Sequence, residues 1–389
     1  MGISKILRSL STPYGIVFYT VLLSFLAWIM PDFGILRKGF SRQFSMGSFG
    51  FFLAMVWYAS AIVCAFLFYS LALKAKLSPA LFDRYASFDR KGPYVLLSMF
   101  AFIGGLASYM VILSSVGFNT IIGYISTGQA NQLKYILYED YSAGILSLRY
   151  LAIHSCALAI FRRYKLKQKS KLDVINVLLL LSAVVISSRL SLVMMLFICL
   201  ILFVTHSSRI KIKPVKVTVA GVILFVLLSA LSYSRNKGFY EAKGHGFWSA
   251  GISEIVTYLG TPFQGAVAVG NNSELITREP LDWARYAYIE ESLSTNSAFL
   301  QLFQFYGWYA FLIMLFTVAV FSYVAGFLKK QRNNYLYLSV LTILYAFAEF
   351  WRLYWFGTGI MITLVVFPVL VIFITVFLSK SAWRNMKLQ

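Results

Sequence analysis

Apolar runs of about 20 residues recur along almost the whole chain, each long enough for one helix to cross ~30 Å of hydrocarbon. No water-soluble core needs so many. Over 389 residues, 59% are hydrophobic and only 13% charged, with a mean hydropathy of +0.74, which excludes an ordinary soluble domain. A β-barrel would show short segments alternating apolar with polar, whereas 174–181 and 360–378 are apolar on every side. The expected fold is therefore all-α, a polytopic integral membrane helical bundle forming one transmembrane domain over 1–389.

The expected spans are 13–30, 48–72, 93–115, 144–161, 174–187, 190–205, 217–234, 306–328, 334–350 and 357–378. Ten spans put both termini on one side. The net charge of +21 would suggest nucleic acid in a soluble protein, but in a membrane protein the placement of the positives carries the meaning, and no nucleic-acid partner is expected. Segments on the terminal side hold 23 Lys and Arg against 11 on the other, with Arg149 inside a span. The excess marks the terminal side as cytoplasmic. Arg37, Lys38 and Arg42 in the first hairpin run against it.

Residues 174–205 are long enough for one helix, yet both flanks are strongly basic, with Arg162, Arg163, Lys165 and Lys167 before and Arg209, Lys211 and Lys213 after. Two short helices folded at Ser187-Ser188-Arg189 place both flanks in the cytoplasm and the guanidinium at an outer apex, with arms of about 15 residues or ~22 Å. Residues 235–297 form the long outer loop between the seventh and eighth spans, with seven of the fourteen acids and seven glycines. So long a connection points to function. Within it, 248–259 has helix-like apolar spacing and is expected to lie along the membrane interface. Cys64, Cys156 and Cys199 fall inside apolar runs and read as packing residues. The run after Lys5 and Arg8 lacks a small-residue cleavage site and reads as a retained first helix.

Four motifs stand in order at the outer ends of these spans: Ser187-Ser188-Arg189, Ser234-Arg235-Asn236-Lys237-Gly238, Tyr258-Leu259-Gly260-Thr261-Pro262, and Asn296-Ser297-Ala298-Phe299-Leu300 ahead of Phe305-Tyr306-Gly307-Trp308. In them the chain resembles the Wzy-type O-antigen and oligosaccharide repeat-unit polymerases over roughly 174–310. The resemblance implies a GT-C type membrane glycosyltransferase of the bacterial inner membrane, joining polyprenyl-diphosphate-linked oligosaccharides on the periplasmic face. It leaves room for a chain-length-regulating co-polymerase as partner. The related O-antigen ligases usually carry a His where Thr295 stands and an acid where Gln304 stands, and these departures favour polymerase over ligase.

Such an enzyme must hold lipid diphosphates while a sugar hydroxyl displaces one at an anomeric carbon. Arginine suits the task because its planar fork binds phosphate oxygens in pairs and stays charged in a low dielectric. Arg189 and Arg235 are the leading diphosphate ligands, each placed where a span reaches the outer surface; headgroup snorkelling is the plainer alternative. Arg278 and Arg285, seven apart and suited to one helix face, are candidates for a second diphosphate or the sugars, with pairing to Glu279 and Asp282 as the alternative. Arg149 lies inside a span and is a site candidate for that reason, whereas the deeper His154 suits interhelical hydrogen bonding. Glu349 and Arg352, spaced i, i+3 among aromatics, are either a third phosphate ligand with its orienting acid or an ion pair in an aromatic belt. Asn296 and Tyr258 enter as motif residues of the substrate site, and Tyr258 offers a ring to stack on sugars.

General-base candidates are His245, Glu254, Asp282, Glu290 and Glu349, which sequence does not rank; His245 and Glu254 are carried forward as the catalytic ones. Neither a His/Cys cluster nor an outer Asp-x-Asp is visible, so no metal and no cofactor is expected, cations supplying the charge stabilisation. A transporter for a lipid-linked glycan is the non-enzymatic alternative, with Arg149 and His154 as its site. The inverted repeats and matching broken helices common in transporters are not evident.

Overall fold

The computed structural model describes residues 9–30, 39–75, 86–126, 144–186, 190–206, 246–290 and 296–387, with isolated positions at 133, 137 and between 219 and 244. Among them the chain is all-helical, without strands. In chain order the helices are α1 (Pro13–Ile29), α2 (Phe49–Lys74), α3 (Lys91–Val116), α4 (Phe118–Ser126), α5 (Leu151–Tyr164), α6 (Leu172–Ile186), α7 (Leu190–Thr205), α8 (Phe247–Asn271), α9 (Ser273–Arg278), α10 (Trp283–Tyr286), α11 (Ala298–Tyr306), α12 (Ala310–Leu328), α13 (Leu336–Glu349) and α14 (Gly359–Lys387). A 3-10 helix, Gly144–Tyr150, leads into α5.

Among the described residues five helical stretches are long and apolar enough to cross a membrane: Phe49–Lys74, Lys91–Val116, Gly144–Tyr164, Ala298–Gln331 and Gly359–Leu378. Shorter apolar helices cover Pro13–Ile29, Leu172–Val184, Leu190–Thr205 and Leu336–Glu349. This is the architecture of a helical membrane protein. The run 217–234 lies mostly outside the described residues. Residues 174–205 form two helices, α6 and α7, packed on each other and on α5, and the apex 187–189 lies outside the described residues.

The chain divides into two compact units. The first comprises Met1–Leu67, Ser208–Val320 and Phe347–Trp355. Here α1 begins at Thr12, whose hydroxyl accepts from the Gly15 amide, and Pro13 supplies a preset first turn. It packs along α8: Ser24 donates to the Leu259 carbonyl at 2.6 Å, and Trp28 Nε1 donates to Gln264 Oε1 at 2.7 Å. Phe25, Trp28, Phe51 and Phe263 join in one aromatic cluster. α2 meets α8 backbone to backbone, since a methyl on Gly270 would lie 2.6 Å from Gly50 Cα. Two glycines permit that approach, as small residues do at membrane-helix contacts.

The stretch 248–259 is helical, with Trp248, Ile252 and Tyr258 exposed along it. That stretch is the first half of the longer α8, and beyond it Thr261, Phe263, Gln264 and Ala266 to Val269 are fully buried. The small residues of this second half fit it against α1 and α2.

The second unit comprises Phe68–Ser207, Phe321–Ala346 and Phe356–Gln389. Its centre is α5, buried on nearly every side and packed against α3, α6 and α7. Polar ties join its helices: Tyr94 donates to Asp173 at 2.8 Å, Asn176 donates to Tyr94 and to Ser98, and His154 bonds Thr342 at 2.8 Å. Arg162 donates to the carbonyls of Phe88, Asp89 and Arg90 and to Gln168, pinning the end of α5 to the start of α3. Such bonds hold helices together where apolar side chains gain little by leaving lipid.

Candidate functional site

α13 ends in a tight turn: Arg352 N donates to Glu349 O at 2.9 Å and Leu353 N to the same carbonyl at 2.8 Å. The turn stacks residue 352 over residue 349, and their side chains form an ion pair, each residue only 7% exposed. Taking two charges out of water costs several kcal/mol per ion, so a pair buried this far is an expensive way to make an anchor. The guanidinium also lies over the Tyr258 ring, 4.7 Å from its centroid. Tyr258, exposed on α8, meets Trp351 edge-on at 6.2 Å.

Two hydrogen bonds fix this turn from behind. Tyr58 of α2, fully buried, donates to the Trp351 carbonyl at 3.2 Å and also bonds the Ser297 side chain. Gln301 of α11 accepts from the Tyr354 amide at 2.9 Å. Ser297 caps α11 by accepting from the Phe299 and Leu300 amides, and Asn296 Oδ1 accepts from Ser297 N at 2.6 Å. Trp57 stacks on Phe299 at 4.2 Å and lies parallel to Phe350 at 6.2 Å, which seats both segments of the site on α2.

The structure thus brings together four of the sequence candidates, Glu349, Arg352, Tyr258 and the Asn296 segment. Arg189, Arg235 and His245 lie outside the described residues, as does the side chain of Glu254, whose backbone belongs to α8. Arg278 and Arg285 do not share a helix face: the chain breaks at Glu279 and Pro280, leaving Arg278 at the end of α9 and Arg285 on α10, both exposed. Glu279 accepts instead from the Tyr286 hydroxyl, which pushes the phenol pKa up. Asp282 is exposed and Glu290 half-buried.

Arg149 sits in the second unit, almost fully buried in the 3-10 helix. Its guanidinium donates to Leu146 O at 2.8 Å, Tyr150 Oη at 3.1 Å and Ser108 at 3.3 Å, and among the described residues no carboxylate meets it. Tyr58 and Gln301 escaped the sequence reading. Each is a polar group inside an apolar run, and nothing local announces which turn it holds. Among the described residues no three His, Cys, Asp or Glu side chains gather as metal ligands.

No family model, curated protein or solved structure matches this chain. The chemistry of the site has to be argued from its own groups: a fixed guanidinium, a carboxylate that orients it, an exposed aromatic ring, and a turn held rigid by buried hydrogen bonds. Together they suit an anionic, sugar-bearing ligand, the fork meeting phosphate oxygens and the ring meeting the apolar face of a sugar.

Proposed function

We propose that this protein is a membrane glycosyltransferase that polymerises polyprenyl-diphosphate-linked oligosaccharide repeat units at the periplasmic face of the bacterial inner membrane. The observation that carries the reading is the buried Glu349–Arg352 pair beneath Tyr258, beside the Asn296 segment that carries the family resemblance. Arg352 binds the diphosphate of a lipid-linked chain, Glu349 holds the guanidinium in register, and Tyr258 receives a sugar. Arg189 and Arg235, at the outer ends of their spans, are the further diphosphate ligands of the proposal. Both termini are cytoplasmic and ten spans cross the membrane.

In the reaction, an acceptor sugar hydroxyl forms a new bond to the anomeric carbon of the donor while the bond from that carbon to the diphosphate oxygen breaks. The hydroxyl proton passes to a base, for which His245 and Glu254 are the candidates. The lipid diphosphate leaves with both bonding electrons, and the guanidinium offsets its growing charge, a contribution of several kcal/mol from a preplaced donor. Cells that lack the protein but keep the rest of the pathway should show single repeat units in place of the glycan ladder. An unchanged ladder sinks the proposal.

A further inference from the structure

The turn joining α9 to α10 exposes Leu281 almost completely, at 95%. A lone exposed leucine is ordinary in water; what matters is the exposed apolar residues on the neighbouring helix, and such a side chain is at home at the acyl boundary of a bilayer. A hydrogen bond from Gln304 Nε2 to the Pro280 carbonyl at 3.1 Å ties the turn to α11. Around that tie Phe305 and Tyr309 are 74% and 73% exposed, Tyr306 and Trp308 are exposed as well, and farther along α12 Phe316 is 71% exposed. These residues belong to Ala298–Gln331, a stretch long and apolar enough to cross a membrane, whose exposed apolar face suits lipid and whose Tyr and Trp at the entry suit the headgroup level.

Leu281 thus stands on the turn tied to this stretch, flanked in sequence by Arg278 and Arg285, both exposed. We infer that the turn 278–285 is a bilayer-docking element: Leu281 inserts among the acyl chains of the outer leaflet while Arg278 and Arg285 hold phospholipid phosphates on either side. Long guanidinium side chains reach the headgroups while their stems stay with the apolar layer. The inference rests on the membrane architecture and is independent of the transferase chemistry. A second copy of the chain is the competing occupant, and lipid is favoured because the turn is tied to a stretch whose exposed face suits hydrocarbon.

Single cysteines at Leu281, Glu274 and Phe316 carry a spin label in full-length protein reconstituted into phosphatidylcholine nanodiscs; the native Cys64, Cys156 and Cys199 are buried. The label at 281, like that at 316, should be relaxed more by oxygen, which concentrates in lipid, than by a water-soluble nickel chelate, with the reverse at 274. Arg278→Gln with Arg285→Gln should raise chelate access at 281 severalfold. A label at 281 as open to the chelate as that at 274, or shielded from both agents as by a protein partner, overturns the inference. An aqueous label at 316 would instead overturn the membrane architecture itself.

Discussion

At the scale of the residue, the proposal turns on Arg352. Truncation alone is ambiguous, because stripping one partner from a buried pair leaves the other charge uncompensated and costs about 3–5 kcal/mol. Arg352→Gln combined with Glu349→Gln removes both charges and keeps the shapes, so the turn should fold while elongation falls roughly 100-fold, the scale of one lost charge-stabilising donor. Arg352→Lys should fall between, since a point charge keeps the Coulomb attraction and loses the paired hydrogen bonds. Normal glycan ladders from the double variant would reduce the pair to an anchor. His206, just beyond α7, gives a second prediction. Burial against Phe88 and Phe161, with the charges of Arg332 and Lys165 adding repulsion, lowers its pKa, opposed by backbone hydrogen bonds at Leu202 and Arg332. The folded state thus binds this proton less readily than the unfolded state, so its contribution is complete above about pH 6.5 and is lost as pH falls towards the folded value. Thermal melts of detergent-solubilised protein should drop between pH 7 and pH 5, and His206→Gln should flatten that drop. An equal drop in the variant would assign it to other groups.

At the scale of the element, α3 lies so close to the 3-10 helix that a methyl on Gly104 would overlap the Arg149 amide nitrogen and the Leu148 backbone. Backbone cannot step aside as a side chain does, so Gly104→Ala should cost about 3 kcal/mol or more, at the upper end of overpacking, with loss of folded protein in a thermal melt. A neutral Gly104→Ala would show that the two elements do not meet there. The break between α6 and α7 was legible because charge on both flanks of 174–205 forbids one pass, an argument that needs no partner. Glu349 and Arg352 were legible as a pair because i, i+3 spacing is local. What held them was not: Tyr58 lies 293 residues from Trp351, and nothing in an apolar run encodes that distance. The packing of the second half of α8 was equally hidden, since its Gly, Ala and Thr residues lower the apolar signal while allowing the close contacts that bury it.

At the scale of the whole molecule, chemistry on one face requires that the proposed ligands share a side, and charge placement makes that testable. The 23 positives assigned to the terminal side lie in short loops and tails, where they bias orientation most strongly. The 11 on the other side include Arg189, Arg235, Arg278, Arg285 and Arg352, so the residues proposed to handle phosphate are nearly half of the positives left there. A membrane that retains Lys and Arg in the cytoplasm leaves those outside for some other use, and diphosphate and headgroup binding supply it. Cysteines placed singly at Ser188, Glu274 and Ser170 should therefore separate cleanly, the first two reacting with an impermeant maleimide in intact spheroplasts and the third only after lysis. Labelling of Ser188→Cys only after lysis would put Arg189 on the wrong side and remove it from the site. The same result at Glu274→Cys would remove the whole outer face on which the transferase reading depends.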